Sequence, residues 1–376
     1  MKLVEIIFII CCVIYASKIL LLRIASAKSR KQQLSPKQIS DDLPKVSIII
    51  PARNEEDNIA NCLKSILLSN YPKNNFEVIV VNDRSEDRTA SIVSQFVEKY
   101  SNIKLVNLTN KRPEVNLQGK PGALQHGIDA ASHDILMMTD ADCTVNENWI
   151  LTVVSHFLSD SNVGMVCSYT NISGAKIFEM FQDAEWTYMN TYAAAGIGLG
   201  TVLGCFGNNL SVSRSAYEKL GGYANLPFSV TEDYVLLRAV FDAGYKIYYL
   251  CDKNSNVETL PAANLGEYFR QHKRWAIGGT ALGWKAFAFV FSSACSAAAF
   301  AIGVWEMNLL MILINVFFRI LGDVIILFPV FNVLNRRHLK KRIPVFVFMF
   351  SLIELILPFI VLNRKVVWKG QVFHKK

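Results

Sequence analysis

Long apolar runs at both ends of the chain contrast with a middle segment in which short apolar runs alternate with polar stretches. Four runs are long enough to cross a bilayer. They are Leu3–Leu22, Phe287–Trp305, Leu309–Phe331 and Ile343–Leu362. The first run is long for a signal peptide and lacks a clear cleavage site, so an anchor is expected in preference to a cleaved signal. The pattern predicts a transmembrane anchor over residues 1–25, C-terminal transmembrane helices over 285–363 and a basic tail over 364–376.

The middle segment, residues 45–280, has the pattern of alternating strands and helices. The predicted strands are Val46–Pro51, Phe76–Val81, Ile103–Val106 and Asp134–Thr139. Helices are expected to begin at Asn54 or Glu55, at Asp87 and at Pro121, with a further helix over Lys176–Tyr192. Apolar strands separated by helices are typical of a parallel sheet covered on both faces. The segment is therefore predicted to be a doubly wound α/β domain, in which ligands bind beyond the carboxyl ends of the strands.

Charge is distributed unevenly along the chain. The net charge is +8, yet residues 46–285 carry twenty Lys and Arg against twenty-five Asp and Glu, so nucleic-acid binding is not expected. Basic residues flank the apolar runs, and Arg23, Lys28, Arg30 and Lys31 after the first run predict a cytosolic middle domain. The eight cysteines form no CxxC pair, which favours a reduced compartment.

Topology has one open point in the C-terminal region. The basic segment 336–342 is expected on the cytosolic side, which makes the second and third runs a hairpin turning at Glu306–Asn308. A fully crossing fourth run would then send the basic tail outside, so either the tail violates the charge rule or this run does not cross. Inside the third run, Arg319 and Asp323 are four residues apart and can pair. Charges within a membrane segment are functional candidates, and we favour a structural ion pair between helices here.

Two carboxylates, Asp140 and Asp142, directly follow the fourth predicted strand. This spacing suits one hard divalent cation shared with a phosphate-bearing ligand. A bound Mg²⁺ or Mn²⁺ would neutralise a diphosphate leaving group. A solvated turn is the alternative interpretation of an isolated Asp-x-Asp sequence.

Three charged residues near other strand ends are candidate ligand contacts. Asp83 follows the second strand, where an acid can accept hydrogen bonds from a nucleoside base or ribose. Asp87 is better placed to cap the next helix. Lys120 precedes a helix N-terminus, a favourable place for phosphate, with a surface lysine as the alternative.

A second acidic pair, Glu232 and Asp233, begins another predicted helix. Asp233 is the candidate general base, which would take a proton from an acceptor hydroxyl as that oxygen attacks an anomeric carbon. Direct displacement of this kind inverts the configuration. The alternative is an ordinary helix start, with Thr231 as its N-cap.

Gln271, Arg274 and Trp275 share one helical face just before the second apolar run. The guanidinium can contact phosphate, and the indole can stack on a sugar ring. The alternative interpretation is an aromatic belt at the membrane surface, with basic neighbours that reach the headgroups.

These motifs occur in an order that resembles a known family. The ordered set is Pro51-Ala52-Arg53-Asn54-Glu55, Asn82-Asp83, Gly119-Lys120, Asp140-Ala141-Asp142, Gly207-Asn208-Asn209, Thr231-Glu232-Asp233 and Gln271 with Arg274-Trp275. It resembles the membrane-integrated family 2 glycosyltransferases, whose domain has the GT-A fold, over roughly residues 45 to 280. The resemblance implies an inverting transferase that uses a UDP-sugar and a divalent metal, Mg or Mn.

The resemblance also implies roles for particular residues. Nucleotide-sugar binding falls to Pro51, Asn54, Glu55, Asp83, Lys120 and Asp140. Asp140 and Asp142 would hold the metal, and Asp233 would be the base. The acceptor and diphosphate side would comprise Glu232, Gln271, Arg274 and Trp275.

Within this family the chain is most similar to lipid glycosyltransferases, such as ceramide glucosyltransferases and their hopanoid-pathway relatives. One N-terminal anchor and three C-terminal runs favour this group and a lipid or membrane-associated acceptor. A processive synthase of cellulose, chitin or poly-N-acetylglucosamine type is the alternative, and a catalytically silent membrane protein is a third. The expected location is the bacterial inner membrane, with the GT-A domain in the cytosol.

Overall fold

The computed structural model describes residues 2–33, 43–109, 117–360, 365–368 and 371–374. Residues 34–42 and parts of the predicted basic tail lie outside these residues. The helices are α1 (Leu3–Gln32), α2 (Ile59–Leu67), α3 (Thr89–Lys99), α4 (Lys120–Asp129), α5 (Trp149–Phe157), α6 (Ile177–Gly198), α7 (Arg214–Lys219), α8 (Gly222–Asn225), α9 (Glu232–Asp242), α10 (Leu265–Gly279), α11 (Trp284–Trp305), α12 (Leu309–Val333) and α13 (Ile343–Ile360). The strands are β1 (Val46–Ala52), β2 (Phe76–Asn82), β3 (Ile103–Asn107), β4 (Ile135–Met138), β5 (Thr144–Val145), β6 (Val163–Ser168), β7 (Thr170–Ile172), β8 (Leu210–Ser213), β9 (Lys246–Leu250), β10 (Val257–Thr259), β11 (Lys365–Trp368) and β12 (Gln371–His374).

A seven-stranded sheet in the order β3-β2-β1-β4-β8-β6-β9 forms the centre of the α/β domain. The four strands predicted from the sequence pair in parallel, as expected. β8 runs antiparallel to both of its neighbours, β4 and β6. A smaller sheet of β5, β10 and β7 lies beside it.

The strands alternate their side chains between two apolar cores, one on each face of the sheet. Ile49 and Ile79 face the core that includes α4, whereas Ile48 and Val78 face the core that includes α2. All four side chains are fully buried. Burial on both faces explains why β1 reads as an unbroken apolar run in the sequence.

Three predicted helix starts need correction. α2 begins at Ile59 rather than at Asn54 or Glu55, because Asn54 adopts a left-handed φ of 54° that a helix cannot contain. α4 begins at Lys120, one residue before Pro121. α3 begins at Thr89 rather than at Asp87, and its N-cap residue is Arg88. The Asp87 carboxylate, one residue before that cap, accepts a hydrogen bond of 2.9 Å from the Thr89 amide.

Three helices are long and apolar enough to cross a membrane: α1, α11 and α12. The fourth predicted run forms α13, an 18-residue helix that is not among these three spans of the described chain. Gln33, just after α1, bonds the Tyr249 carbonyl at 2.6 Å. Arg336, just after α12, pairs with Asp183 and Glu258 of the α/β domain. Both helices therefore end against this domain.

Arg319 forms an ion pair between two helices, as expected, but its partner is not Asp323. Arg319 Nη1 lies 3.1 Å from Glu354 Oε2 on α13, and Arg319 Nη2 donates to Ser351 at 2.9 Å. Within the described chain, Asp323 is not its ion-pair partner, although both residues are buried. The long guanidinium reaches the neighbouring helix, where a second element supplies a better carboxylate.

Candidate active site

A cavity of about 660 Å³ opens at the carboxyl ends of β1, β2 and β4. Every residue that the sequence assigned to the site lines it. These residues are Pro51, Asn54, Glu55, Asp83, Lys120, Asp140, Asp142, Glu232, Asp233, Gln271, Arg274 and Trp275. The fold thus gathers the end of β1, the end of β4 and helix α10 around one space.

Asp83, at the end of β2, is the most buried acid on this side of the cavity. It is 3% exposed, and its amide donates to the Ala52 carbonyl at 2.8 Å. Its Oδ1 atom lies 2.7 Å from Arg84 Nε and 2.5 Å from Arg84 Nη2. Arg53 Nη1 lies 3.9 Å from Oδ2. The sequence prediction missed both arginines, because the sequence does not show which carboxylate an arginine side chain contacts.

Asn54 and Glu55 brace the loops around Asp83. The Asn54 side chain accepts a hydrogen bond of 2.9 Å from the Glu86 amide, and its own amide donates to Ser85 at 3.0 Å. The Glu55 amide donates to Thr89 at 2.8 Å. The loop after β1 and the loop after β2 are therefore fastened to each other.

Lys120 is buried inside the cavity, so its interpretation as a surface lysine is wrong. Its ammonium lies 2.5 Å from Asp140 Oδ1 and 3.6 Å from Glu232 Oε1. Burial lowers the pKa of Lys120, but the two carboxylates outweigh that effect and raise the pKa above its ordinary value. Gly122 lets the backbone turn tightly here, since a Cβ on it would lie 2.0 Å from the Leu117 carbonyl oxygen. A permanent cation is thus fixed beside Asp140.

The donor set suits a metal that arrives with a phosphate ligand. Among the described residues, no group of three or more His, Cys, Asp or Glu side chains could hold a metal ion by itself. Asp140 and Asp142 nevertheless both face the cavity. Mg²⁺ commonly binds through one or two carboxylates, substrate phosphates and water. The two aspartates fit this pattern.

Asp233 lies in the first turn of α9 and faces the same space. Its Oδ2 accepts a hydrogen bond of 2.9 Å from the Gly207 amide, and its Oδ1 accepts one of 2.8 Å from the Tyr234 amide. Burial and the neighbouring Glu232 carboxylate raise the pKa of Asp233 to about 6, against the lowering effect of Lys120. A carboxylate with this pKa is suited to proton transfer near neutral pH.

Thr231 does not cap α9 with its side chain. Its hydroxyl lies 3.1 Å from the Ser229 hydroxyl instead. The helix starts with the acidic pair Glu232 and Asp233, which suits the positive end of the helix dipole.

Trp275 projects from α10 into a cluster of aromatic rings. Its ring centroid lies 5.3 Å from that of Trp186 and 5.9 Å from that of Phe206. All three rings line the cavity, together with Gln271 and Arg274. The predicted shared face of α10 thus points into the site rather than outward to lipid alone.

Behind this face, His272 forms a buried pair with Glu185 of α6. His272 Nε2 lies 3.0 Å from Glu185 Oε1, and Nδ1 lies 2.9 Å from the Tyr268 carbonyl. Burial lowers the pKa of His272, but Glu185 outweighs it, so the pKa is raised. The Tyr268 hydroxyl also donates to Glu185 at 2.7 Å. The sequence did not single out His272, because Glu185 is far away in the chain.

Other lining residues were not predicted individually. They include Arg53, Trp186, Phe206, Thr259, Leu260, Glu267 and Arg270. Arg270 could have been found, since it lies four residues before Arg274 on the same helix. The β10–α10 loop carried no recognisable pattern.

A family model described as "Glycosyl transferase family 21" matches residues 4–376. Among curated proteins, the probable glycosyltransferase YdaM of Bacillus subtilis is 34% identical over 63% of this chain and 56% of that protein. Glycosyltransferase AglE of Haloferax volcanii is 30% identical over 63% of this chain and 73% of its own length. A beta-monoglucosyldiacylglycerol synthase of Nostoc is 29% identical over 65% of this chain and 50% of its own. The chain thus spans about half the length of several of these relatives.

Among solved structures, the mannosyltransferase PcManGT from Pyrobaculum calidifontis, in complex with GDP-Man and Mn²⁺, has a TM-score of 0.62. It is 19% identical and covers 93% of this chain and 99% of that one, so the likeness concerns the fold. The predicted GT-A fold class is confirmed. The matching family bears the number 21, where the motifs suggested family 2.

Proposed function

Since the chain belongs to glycosyl transferase family 21, we propose that it transfers a sugar from a UDP-sugar to a lipid hydroxyl with inversion at the anomeric carbon. The observation that carries this proposal is Asp233, an acid with a pKa of about 6 in a cavity shared with Lys120 and the Asp140–Asp142 pair. The same cavity offers places for a base, a diphosphate and an aromatic sugar contact.

Asp233 takes the proton from the acceptor hydroxyl as that oxygen attacks the sugar. The Gly207 amide orients this carboxylate by donating to its Oδ2 atom, at 2.9 Å. Lys120 and Arg274 approach the diphosphate and balance the charge of the leaving group. A divalent metal held by Asp140 and Asp142 would act as a Lewis acid toward the same diphosphate. Trp275 and its aromatic neighbours shield the reacting sugar from water.

The acceptor is proposed to be a lipid because the cavity borders the apolar helices. α10, which lines the cavity, is followed within a few residues by the spanning helix α11. Leu260 lines the cavity and remains 49% exposed, and Leu265 at the start of α10 is 60% exposed. Apolar residues at such a mouth allow an amphipathic acceptor to enter from the bilayer surface. We propose that the GT-A domain lies on the cytosolic side of a bacterial inner membrane.

A processive synthase is the second candidate function. A poly-beta-1,6-N-acetyl-D-glucosamine synthase of Staphylococcus aureus is 28% identical over 64% of this chain. Such an enzyme would share the donor site and the base, so only the length of the product separates the two functions.

Purified protein in detergent, incubated with Mg²⁺, a panel of UDP-sugars and a lipid extract, tests the proposal. Mass spectrometry is expected to find a lipid carrying one added sugar and free UDP in equal amount. The Asp233→Asn variant is the control, and it should form no glycosylated lipid and release no UDP. A long polymer would favour the second function. Absence of both transfer and UDP release by the wild type would contradict both, and formation of a product only from GDP-mannose would contradict the UDP assignment.

A further inference from the structure

We infer that Arg84 selects the base of the donor nucleotide and makes the site prefer uridine over guanosine. This inference rests on the proposed function, in which Asp83 binds the base. Arg84 lies next to Asp83 in the chain, and its guanidinium donates to the Oδ1 atom of that carboxylate.

The geometry at Asp83 restricts what the carboxylate can accept. Arg84 Nε and Nη2 lie 2.7 Å and 2.5 Å from Oδ1. Each carboxylate oxygen can accept about two hydrogen bonds, so these two N–H groups occupy both acceptor positions of Oδ1. Oδ2 has Arg53 Nη1 at 3.9 Å, beyond hydrogen-bonding distance, and is the oxygen able to accept a hydrogen bond from a ligand. Asp83 is 3% exposed, and an unmatched polar contact in such a buried place is costly.

The backbone holds Arg84 in this position at some cost. Its φ is 55°, a left-handed value that is uncommon and unfavourable for a residue with a Cβ. The turn persists because the Ser85 amide donates to the Asn82 side chain at 3.1 Å and the Ser85 hydroxyl accepts from the Asn54 amide at 3.0 Å. Strain of this kind concentrates at functional sites. Here it aims the guanidinium back at Asp83.

The bases differ in the hydrogen-bond pattern that they present. Uracil offers one N–H, at N3, between two carbonyl oxygens. A single N–H group needs only one carboxylate oxygen, and Oδ2 of Asp83 can supply it. Guanine offers two adjacent N–H donors, at N1 and N2, and needs both oxygens of the carboxylate. Arg84 already engages one of them. Cytosine places the acceptor N3 opposite the carboxylate and is repelled.

Isothermal titration of the detergent-solubilised protein with UDP, GDP and CDP in Mg²⁺ tests the inference. The wild type is expected to bind UDP at least about 10-fold more tightly than GDP, the size of effect that one unmatched hydrogen bond produces. Arg84→Ala leaves Oδ1 able to accept a second hydrogen bond from guanine, so the ratio of UDP affinity to GDP affinity should fall by about 10-fold. CDP should still bind weakly. Arg84→Lys keeps the positive charge but cannot donate two parallel hydrogen bonds to Oδ1, so its ratio of UDP affinity to GDP affinity should be intermediate.

Two controls separate base selection from general effects. Arg88 lies on the same loop but pairs with Glu56 at 3.0 Å and is largely exposed, so Arg88→Ala should keep the wild-type ratio. Arg84→Gly removes the side chain and also the backbone strain, and it should match Arg84→Ala in selectivity while melting at a higher temperature. UDP binding with an unchanged ratio in Arg84→Ala and Arg84→Gly would overturn this inference alone. Failure of the wild type to bind any of the three nucleotides would overturn the proposed function with it.

Discussion

At the residue scale, the raised pKa of Asp233 sets the lower pH limit of the proposed reaction. Only the deprotonated carboxylate can accept the proton, so kcat/KM should fall as pH drops through about 6. The Lys120 ammonium lowers this pKa, and Lys120→Gln should therefore move the acid limb to higher pH. Initial rates between pH 5 and pH 8.5 measure both midpoints. An acid limb near pH 4 in the wild type, or no movement in Lys120→Gln, would argue against Asp233 as the base.

Replacing Asp233 itself separates chemistry from binding. Asp233→Asn should lower kcat by on the order of 10²–10⁴-fold, while the affinity for the UDP-sugar stays near that of the wild type. Asp242→Asn, at the exposed end of the same helix, is a matched control that should keep its activity. A lower melting temperature with normal turnover would make Asp233 a structural residue of α9.

The metal assignment is also decided by single residues. Asp142→Asn should remove metal-dependent turnover without unfolding the protein, because Asp142 lines the cavity and is not part of the core. EDTA should inhibit the wild type, and Mg²⁺ or Mn²⁺ should restore it. Asp160 lies at the protein surface, and Asp160→Asn is the control that should keep metal-dependent turnover. Undiminished activity in chelator would remove the metal from the mechanism.

At the element scale, α10 either belongs to the acceptor site or is a membrane belt. Trp275 contacts Trp186 and Phe206 inside the cavity, so Trp275→Ala should lose transfer to lipid while the protein stays in the membrane fraction. Trp275→Phe should also be impaired. Trp284 at the start of α11 is 75% exposed, and Trp284→Phe should behave like the wild type. Normal transfer by Trp275→Ala would favour the belt.

The pair between His272 and Glu185 attaches α10 to α6. Both residues are buried, and removing one partner of such a pair costs roughly 3–5 kcal/mol. Because the pKa of His272 is raised, the charged pair stabilises the fold fully below the unfolded pKa, and this contribution is lost as pH rises through the folded value. Glu185→Gln should therefore lower the melting temperature more at pH 6 than at pH 9. Exposed Glu218→Gln is the control, and equal losses at both pH values would mean that the histidine is neutral.

At the scale of the whole molecule, the ends of the apolar helices determine the topology. α1 and α12 both end against the α/β domain. The turn between α11 and α12 is at the other end of α12. β11, which follows α13, lies beside α10. The start of α13 and the strand that follows it thus both lie on the side of the α/β domain. This arrangement favours a fourth apolar run that does not cross the membrane.

Labelling of intact cells tests this topology. A cysteine at Met307, a position 92% exposed, should react with a membrane-impermeant maleimide. A cysteine at His338 and one fused to the C-terminus should react only after the membrane is opened. The native cysteines are buried or partly buried and should give little background. Reaction of the C-terminal cysteine in intact cells would place the tail outside.

The sequence by itself determined the features that depend on local periodicity and on strand ends. Apolar runs such as Val46–Pro51 predicted the four parallel strands, since buried strands must be apolar on both faces. Parallel strands end at one edge of a sheet, so Asp83 and Asp140 were expected near each other. The identity of the candidate site therefore followed from motif order before any side chain was placed.

Only the tertiary structure decided which distant side chains became partners. Arg319 bonds Glu354 rather than Asp323, and His272 bonds Glu185, because packing of separate helices brings these groups together. Likewise, the left-handed backbone of Arg84 depends on hydrogen bonds from a neighbouring loop. Local pattern encodes which face of an element is apolar, whereas the choice among several possible partners depends on three-dimensional distance, which sequence spacing does not specify.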